Sequence, residues 1–185
     1  MINVNDFKTG MTVSYEGNIY QILEFQHVKP GKGAAIVKAK LKNLRTGSIF
    51  EQTFNAGIKI PAAHVDKSKM QFLYATGDVY SFMNMDTYEQ VEVNKSQIED
   101  QVKFLKEGLE VMLSFYENEL IGIELPEKVD YKIIATEPAV KGNTTTGATK
   151  DATIETGMLV KVPLFIEQDE EIIVSTKDGK YVSRK

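Results

Sequence analysis

Val37-Lys38-Ala39-Lys40-Leu41-Lys42 alternates apolar and basic side chains without a break. Successive side chains of a strand point to opposite faces. The stretch therefore reads as a strand with Val37, Ala39 and Leu41 against a core and three lysines on the other face. The same period of two recurs along the chain. It runs through Met11, Val13 and Tyr15, through Met70, Phe72 and Tyr74, and through Val111, Leu113 and Phe115. Ile121, Ile123 and Leu125 follow it, as do Val129, Tyr131 and Ile133, then Met158, Val160 and Val162. Turn signals separate these runs at Thr46-Gly47, Thr76-Gly77-Asp78, Asn118-Glu119 and Asp178-Gly179. The last is a dipeptide of two-residue hairpins. Short strands at this spacing predict an all-β fold built from small β-barrels.

One stretch breaks the pattern. Ser96 with Glu99 forms a capping-box signature, Ile98, Val102 and Leu105 follow at helical spacing, and Gly108 suits the position past a helix end. One short helix is expected near 96–107, and a second short helix or turn around 61–65. The charge turns acidic near residue 65, and Pro126-Glu127-Lys128 marks another break. Three domains are expected, 1–64, 65–127 and 128–185, each small enough to be marginal alone. Residues 28–34 and 141–150 read as long loops.

Several function classes are excluded. There is no cysteine among the 185 residues, which rules out disulfides and thiolate zinc sites. His27 and His64 are the only histidines, and neither has a nucleophile or acid at catalytic spacing. Asp169-Glu170-Glu171 lacks ligand spacing and reads as a solvated turn. Gly142 and Gly147 imitate a phosphate-binding loop, but Ala148 stands where that motif needs the lysine that reaches the phosphates. No catalytic residue, metal or cofactor is expected. The N-terminus lacks a signal peptide, and no apolar run approaches the roughly 20 residues needed to span a bilayer. A cytoplasmic protein without membrane attachment is expected.

Net charge is −4 but unevenly spread, with +4 over residues 1–64, −7 over 65–128 and −1 over 129–185. Between Phe25 and Phe50 there is no acid, while Lys29, Lys32, Lys38, Lys40, Lys42 and Arg45 all fall there. Such a run reads either as a solvated strand face or as an anion-binding stripe. Beside it, Lys29-Pro30-Gly31-Lys32-Gly33 builds a tight turn. Proline fixes one torsion and the glycines open conformations closed to other residues, so Lys32 is thrown outward. A turn lysine is ordinarily solvated. A tip above a basic face also suits RNA, because clustered cations release counterions from phosphates.

These residues resemble a known family. Asn5-Asp6-Phe7-Lys8-Thr9-Gly10, Phe25 through Gly33, and Lys40 through Gly47 closely resemble the first domain of the elongation factor P family. Tyr74 with Asp78, and Phe82-Met83-Asn84, are similar to its second domain. Lys150, Ala152, Gly157, Val160, Val162, Pro163 and Ile166 match its C-terminal signature, as does the ending Gly179, Tyr181, Val182, Ser183 and Arg184. Asp169 stands where that signature usually has glycine, and Asn143 where the third-domain loop usually has aspartate. The resemblance implies a KOW-type barrel followed by two OB-like barrels, with a tRNA-like outline. It implies binding to the ribosome between the P and E sites and promotion of peptide-bond formation at consecutive prolines. Lys32, on its Lys29, Pro30, Gly31 and Gly33 tip, would point to the P-site tRNA end and carry an enzyme-added extension. Tyr181 and Arg184 would contact RNA, and Gly142, Asn143 and Thr144 the E-site mRNA; the acid-free run and its alternation lead to the expectation that Lys38, Lys40, Lys42 and Arg45 contact RNA phosphates. The implied partners are the ribosome, its tRNA and a Lys32-modifying enzyme, and the chain would act as a monomer.

Two rival readings belong to other classes. A general single-strand RNA binder needs aromatic stacking platforms, and no aromatic falls between Phe25 and Phe50. An enzyme using Lys32 as a Schiff-base nucleophile needs a buried or cation-flanked amine, whereas this tip should be exposed.

Overall fold

The computed structural model describes residues 1–138 and 148–185, and strands dominate it. The chain forms two compact units, Met1–Lys67 with Leu113–Gly122, and Ser68–Met112 with Ile123–Lys185. Among the described residues no helix is long and apolar enough to cross a membrane.

The N-terminal strands are β1 (Ile2–Asn3), β2 (Thr12–Tyr15), β3 (Asn18–Val28), β4 (Ile36–Asn43), β5 (Ile49–Asn55) and β6 (Lys59–Ile60). β2 to β5 form an antiparallel meander in chain order, while β1 pairs with β6. Val37, Ala39 and Leu41 are fully buried, as the alternation predicts, and join Val4, Phe7, Val13, Ile22 and Phe54 in one core. Phe54 is clamped edge-on by Phe7 and Tyr15 at centroid distances of 5.8 and 5.3 Å. Residues 61–65 make no helix. They run extended along the free edge of β2, where Ser14 N–H donates to Pro61 O at 2.9 Å and Ala63 N–H to Thr12 O at 3.0 Å. A sheet edge left open would offer unpaired groups to other chains, so pairing outweighs local helix propensity here.

The next strands are β7 (Asp66–Thr76), β8 (Val79–Asn84), β9 (Gln90–Asn94), β10 (Glu110–Tyr116) and β11 (Glu119–Glu124), in sheet order β11-β10-β7-β8-β9. A bulge breaks the expected Met70, Phe72, Tyr74 alternation. Phe72 opposes Phe82 but Tyr74 opposes Ser81, leaving Leu73 as the extra residue. Tyr74 is 54% exposed as a result.

The expected helix over 96–107 is replaced by two three-residue 3-10 turns, Lys95–Gln97 and Val102–Phe104. The capping box is made by Asn94 and Gln97, not by Ser96 and Glu99. The physical reason is tertiary. Thr156 Oγ1–H donates to Lys103 O at 2.6 Å and Tyr131 O–H to Phe104 O at 2.5 Å. The Gly108 N–H that a helix would turn toward Phe104 O goes instead to Phe72 O at 2.8 Å, so the end of the segment is tied to other elements. Ile98, Phe104, Leu105 and Leu109 are still buried, so the apolar spacing marks core contacts rather than a helix.

The last strands are β12 (Lys128–Thr136), β13 (Thr149–Ile154), β14 (Leu159–Pro163), β15 (Glu171–Ser175) and β16 (Tyr181–Arg184), in order β14-β13-β12-β15-β16. Bulges at Ile133/Ala135 and Ile173/Val174 bend this sheet. Its core holds Tyr131, Ile133, Ile154, Val162, Ile172 and Val174. The Asp178-Gly179 signal does mark the β15–β16 turn, but the link is longer than two residues, with Gly179 N–H donating to Ser175 O at 2.8 Å. The fold is all-β, built from four- and five-stranded antiparallel sheets with a two-stranded pair of β1 and β6.

Asp169 has φ +70°, a conformation glycine adopts freely and aspartate tolerates. That accounts for the glycine usual at this position of the signature. Its carboxylate lies 3.8 Å from Lys132 Nζ, with both side chains more than half exposed, so that pair contributes little. Asp169→Gly is expected to raise stability by about 0.5–1 kcal/mol, read as a higher urea midpoint at unchanged slope. A lower midpoint would show that the Lys132 pair outweighs the backbone strain.

Candidate nucleic-acid interface

β3 and β4 pair from Tyr20↔Asn43 up to Val28↔Ile36, leaving residues 29–35 as the connecting loop. Lys32 is the fourth residue after Val28 and the fourth before Ile36, so it sits at the midpoint of that loop. Gly33 has φ +107°, a region that other residues rarely enter. Gly31 is not in that region, so only Gly33 uses the freedom expected of both. No atom lies within 4 Å of a Cβ position at either glycine. Lys29, Gly31, Lys32 and Gly33 are exposed, and Pro30 is half-buried. No side-chain hydrogen bond or ion pair engages Lys29 or Lys32 among the described residues. The tip is an open cation on a glycine-shaped turn, the opposite of the desolvated site a Schiff-base amine needs.

Lys38, Lys40 and Lys42 line the outer face of β4, opposite the buried residues. Their cross-strand neighbours differ. Lys38 lies between Gln26 and Thr53, and Lys42 between Gln21 and Ile49. Lys40 lies between Glu24 and Glu51. Both acids stand just outside the acid-free window and become the nearest rows to its central lysine. These rows floor a shallow groove of about 470 Å³ between Gln26, Lys38, Lys40 and Glu51. Phe25 and Phe50 also line it, so aromatic residues flank the basic run after all. The stripe is therefore positive at its two ends and locally neutralised in the middle.

Arg45 stands at the other end of β4 from Lys32. β4 spans seven steps of about 3.4 Å, so some 24 Å separates its ends. The Arg45 backbone N–H donates to Asn43 Oδ1 at 2.8 Å, closing the turn. Its guanidinium donates to Gly17 O and to Glu119 Oε2, each at 3.0 Å. Arg45 is thus braced by its own unit, unlike the three lysines.

Tyr181 and Arg184 lie on β16, paired with Val174 and Ile172 of β15. Arg184 forms an ion pair with Glu170 and lies 5.3 Å over the centre of the Phe165 ring. The Glu167 N–H, and then Arg184, hold the Glu170 carboxyl below the usual carboxylate range. Gly142, Asn143 and Thr144 lie outside the described residues. Sequence reasoning missed Glu24, Glu51, Phe165 and Glu170. The first two were readable by pairing outward from Lys32 and from the Thr46-Gly47 turn; the last two carried no local signal.

Three family models match in chain order. They are described as the Elongation factor P (EF-P) KOW-like domain over residues 3–60, the Elongation factor P (EF-P) OB domain over 65–123, and Elongation factor P, C-terminal over 129–184. A relative, Elongation factor P of Onion yellows phytoplasma (strain OY-M), is 58% identical over 185 residues, covering 100% of this chain and 98% of that protein. The solved structure of eukaryotic translation initiation factor 5A from Methanococcus jannaschii aligns with TM-score 0.54 at 26% identity, over 67% of this chain and 91% of its own. A translation initiation factor eif-5a family protein from Naegleria fowleri ATCC 30863 shares the fold, with TM-score 0.53 at 16% identity over 67% of this chain and 96% of its own. With matching domains along nearly its whole length and a full-length relative at 58% identity, the chain belongs to the elongation factor P family.

Proposed function

We propose that this translation factor binds the ribosome between the P and E sites and speeds peptide-bond formation at consecutive prolines, with Lys32 ordering the end of the P-site tRNA. The observation that carries the reading is the exposed, unpartnered Lys32 at the midpoint of the β3–β4 loop. Proline is a constrained nucleophile, and a proline-rich nascent end restricts the peptidyl ester. A seated cation near that ester would contribute by positioning, with no bond chemistry of its own. The chain acts without catalytic residues, as a cytoplasmic monomer, with domains 1–64, 65–127 and 128–185. A separate enzyme extends Lys32, lengthening its reach. Lys29, Pro30, Gly31 and Gly33 shape the tip, and Lys38, Lys40, Lys42 and Arg45 meet rRNA or tRNA. The loop of Gly142, Asn143 and Thr144 meets mRNA, and Tyr181 and Arg184 meet RNA through the third domain. The test is reconstituted translation of a message with three consecutive prolines, with and without the natively purified protein. Faster synthesis on that message alone is the expected result; equal rates would overturn the reading.

The rows beneath the tip refine the stripe. Lys38 and Lys42 have uncharged cross-strand neighbours, while Glu24 and Glu51 flank Lys40. Lys38→Glu with Lys42→Glu should weaken ribosome binding and lower the slope of log affinity against log salt by about two. Lys40→Ala should change the slope by less than one such step, which is about 0.7–0.9 per phosphate contact. Equal effects from the two variants would show that Glu24 and Glu51 do not mask Lys40, and no effect from either would show that the strand face is merely solvated.

A further inference from the structure

The groove beside Arg184 has an unusual balance of charge for an RNA contact. It is lined by Lys132, Asp169, Glu170, Glu171, Arg184 and Lys185. Each of its three cations has a carboxylate partner. Arg184 pairs with Glu170, Lys132 Nζ lies 3.8 Å from Asp169, and Lys185 Nζ lies 3.1 Å from Asp130 and 3.2 Å from Glu171. A phosphate arriving here meets three carboxylates and three cations in the lining, with no excess of positive charge. Charge therefore does not draw a phosphate into this place.

Planarity is what Arg184, one of the lining residues, and its neighbour Phe165 offer. Phe165 is 59% exposed, and the Arg184 guanidinium carbon stands 5.3 Å from the centre of its ring. Arg184 Nη2 is held by Glu170 Oε1, and Glu170 is held in turn, because its Oε2 accepts the Glu167 N–H at 2.7 Å. The guanidinium is thereby fixed at one edge and backed by an aromatic ring. The Arg184 side chain is 55% exposed even so. A guanidinium is planar and weakly hydrated, and it stacks on aromatic and base faces as well as donating hydrogen bonds. Local neutralisation by Glu170 reduces its attraction for phosphate and leaves its stacking face unaffected.

We propose that Arg184 lying on Phe165 is a stacking platform for one unpaired RNA base, and that Glu170 is the positioning residue that fixes the guanidinium plane. The proposal rests on the reading above that this chain binds ribosomal RNA or tRNA. It adds the kind of group that is recognised, a base face in place of a phosphate, and two residues that no motif pointed to.

Equilibrium binding to ribosomes across a salt series tests it, with wild type, Phe165→Leu, Arg184→Lys and Glu170→Gln. Phe165→Leu keeps apolar bulk at an exposed position and removes the π face. Arg184→Lys keeps the charge and removes the plane. Each is expected to weaken binding at least about fivefold, with an unchanged slope against log salt. Glu170→Gln should weaken binding as the plane loosens. A phosphate site would behave oppositely, because removing the Glu170 charge would tighten binding and Arg184→Lys would preserve it. Wild-type affinity in Phe165→Leu or in Arg184→Lys would overturn the proposal, as would tighter binding in Glu170→Gln. Failure of the wild type itself to bind ribosomes would overturn the broader reading instead.

Discussion

Lys32→Ala is expected to fold and bind ribosomes almost as the native protein does, yet lose about tenfold or more of the stimulation on a message with three consecutive prolines. The stability half of this follows from exposure. Lys32 is exposed, and no hydrogen bond or ion pair engages it among the described residues. Truncating such a side chain changes stability by no more than about 0.5 kcal/mol. Binding should persist because Lys38 and Lys42 remain on the face of β4. The activity half follows from place. The tip stands past the last β3–β4 pair, Val28↔Ile36, and Lys32 is at its midpoint, which suits it to enter a reacting centre. A cation that orders the acceptor end acts on geometry, and a misplacement of about 1 Å can cost 100-fold in rate. Natively purified protein, unmodified recombinant protein and Lys32→Ala should be compared on the three-proline message and on one without prolines. The proline-free message should be indifferent to all three. Full stimulation by Lys32→Ala would remove any special role for the tip and leave general RNA binding as the function.

What was legible in the sequence depended on whether the cause was local. The alternation from Val37 to Lys42 has a single explanation, a strand with one buried face, and that face is buried throughout. Val129, Tyr131 and Ile133 are legible for the same reason. The bulge after Phe72 was not, because an extra residue in a strand leaves the composition unchanged and is decided by the partner strand. The segment after Asn94 misled in an instructive way. Its apolar spacing is helical, yet two of its carbonyls are claimed by Thr156 and Tyr131, which lie far along the chain. Propensity is a weak prior against partners of that kind.

The candidate site divides along the same line. The Lys32 tip was readable because proline and glycine act on their own backbone. The charge stripe was only half readable. A window along the chain excludes Glu24 and Glu51, while the sheet places both beside Lys40. Counting charge by cross-strand rows, not by runs, would have shown the neutral middle. Arg184 was identified by a motif, but its partners sit 14 and 19 residues away between β14 and β15, joined only by the fold.

The contacts that displaced the expected helix lead to the second large expected effect, on stability. Tyr131 is fully buried, and its hydroxyl donates to the Phe104 carbonyl at 2.5 Å. Lys106 Nζ lies 5.4 Å from the centre of the same ring and 3.5 Å from the Asp130 carboxylate, so the 102–106 stretch is tied to β12 at several points. Tyr131→Phe keeps the ring and removes the donor. The Phe104 carbonyl then loses its partner in a place where water does not readily replace it, at a cost of about 1–3 kcal/mol. Tyr131→Ala also leaves a cavity and should cost about 3–5 kcal/mol. Burial pushes the Tyr131 phenol well above its ordinary value, so the folded protein keeps it neutral. A group raised on folding contributes stability that is fully present below its unfolded pKa, about 10 for tyrosine, and is lost as pH rises toward the folded value. The gap in unfolding free energy between wild type and Tyr131→Phe should therefore be constant from neutral pH to about pH 9 and shrink above about pH 10. Urea unfolding of both proteins at pH 8 and at pH 11 measures it, and other titrating groups cancel in the difference. A variant as stable as wild type at pH 8 would show that the Tyr131–Phe104 bond contributes nothing, and a gap that widens at pH 11 would show that the phenol ionises more readily folded than unfolded.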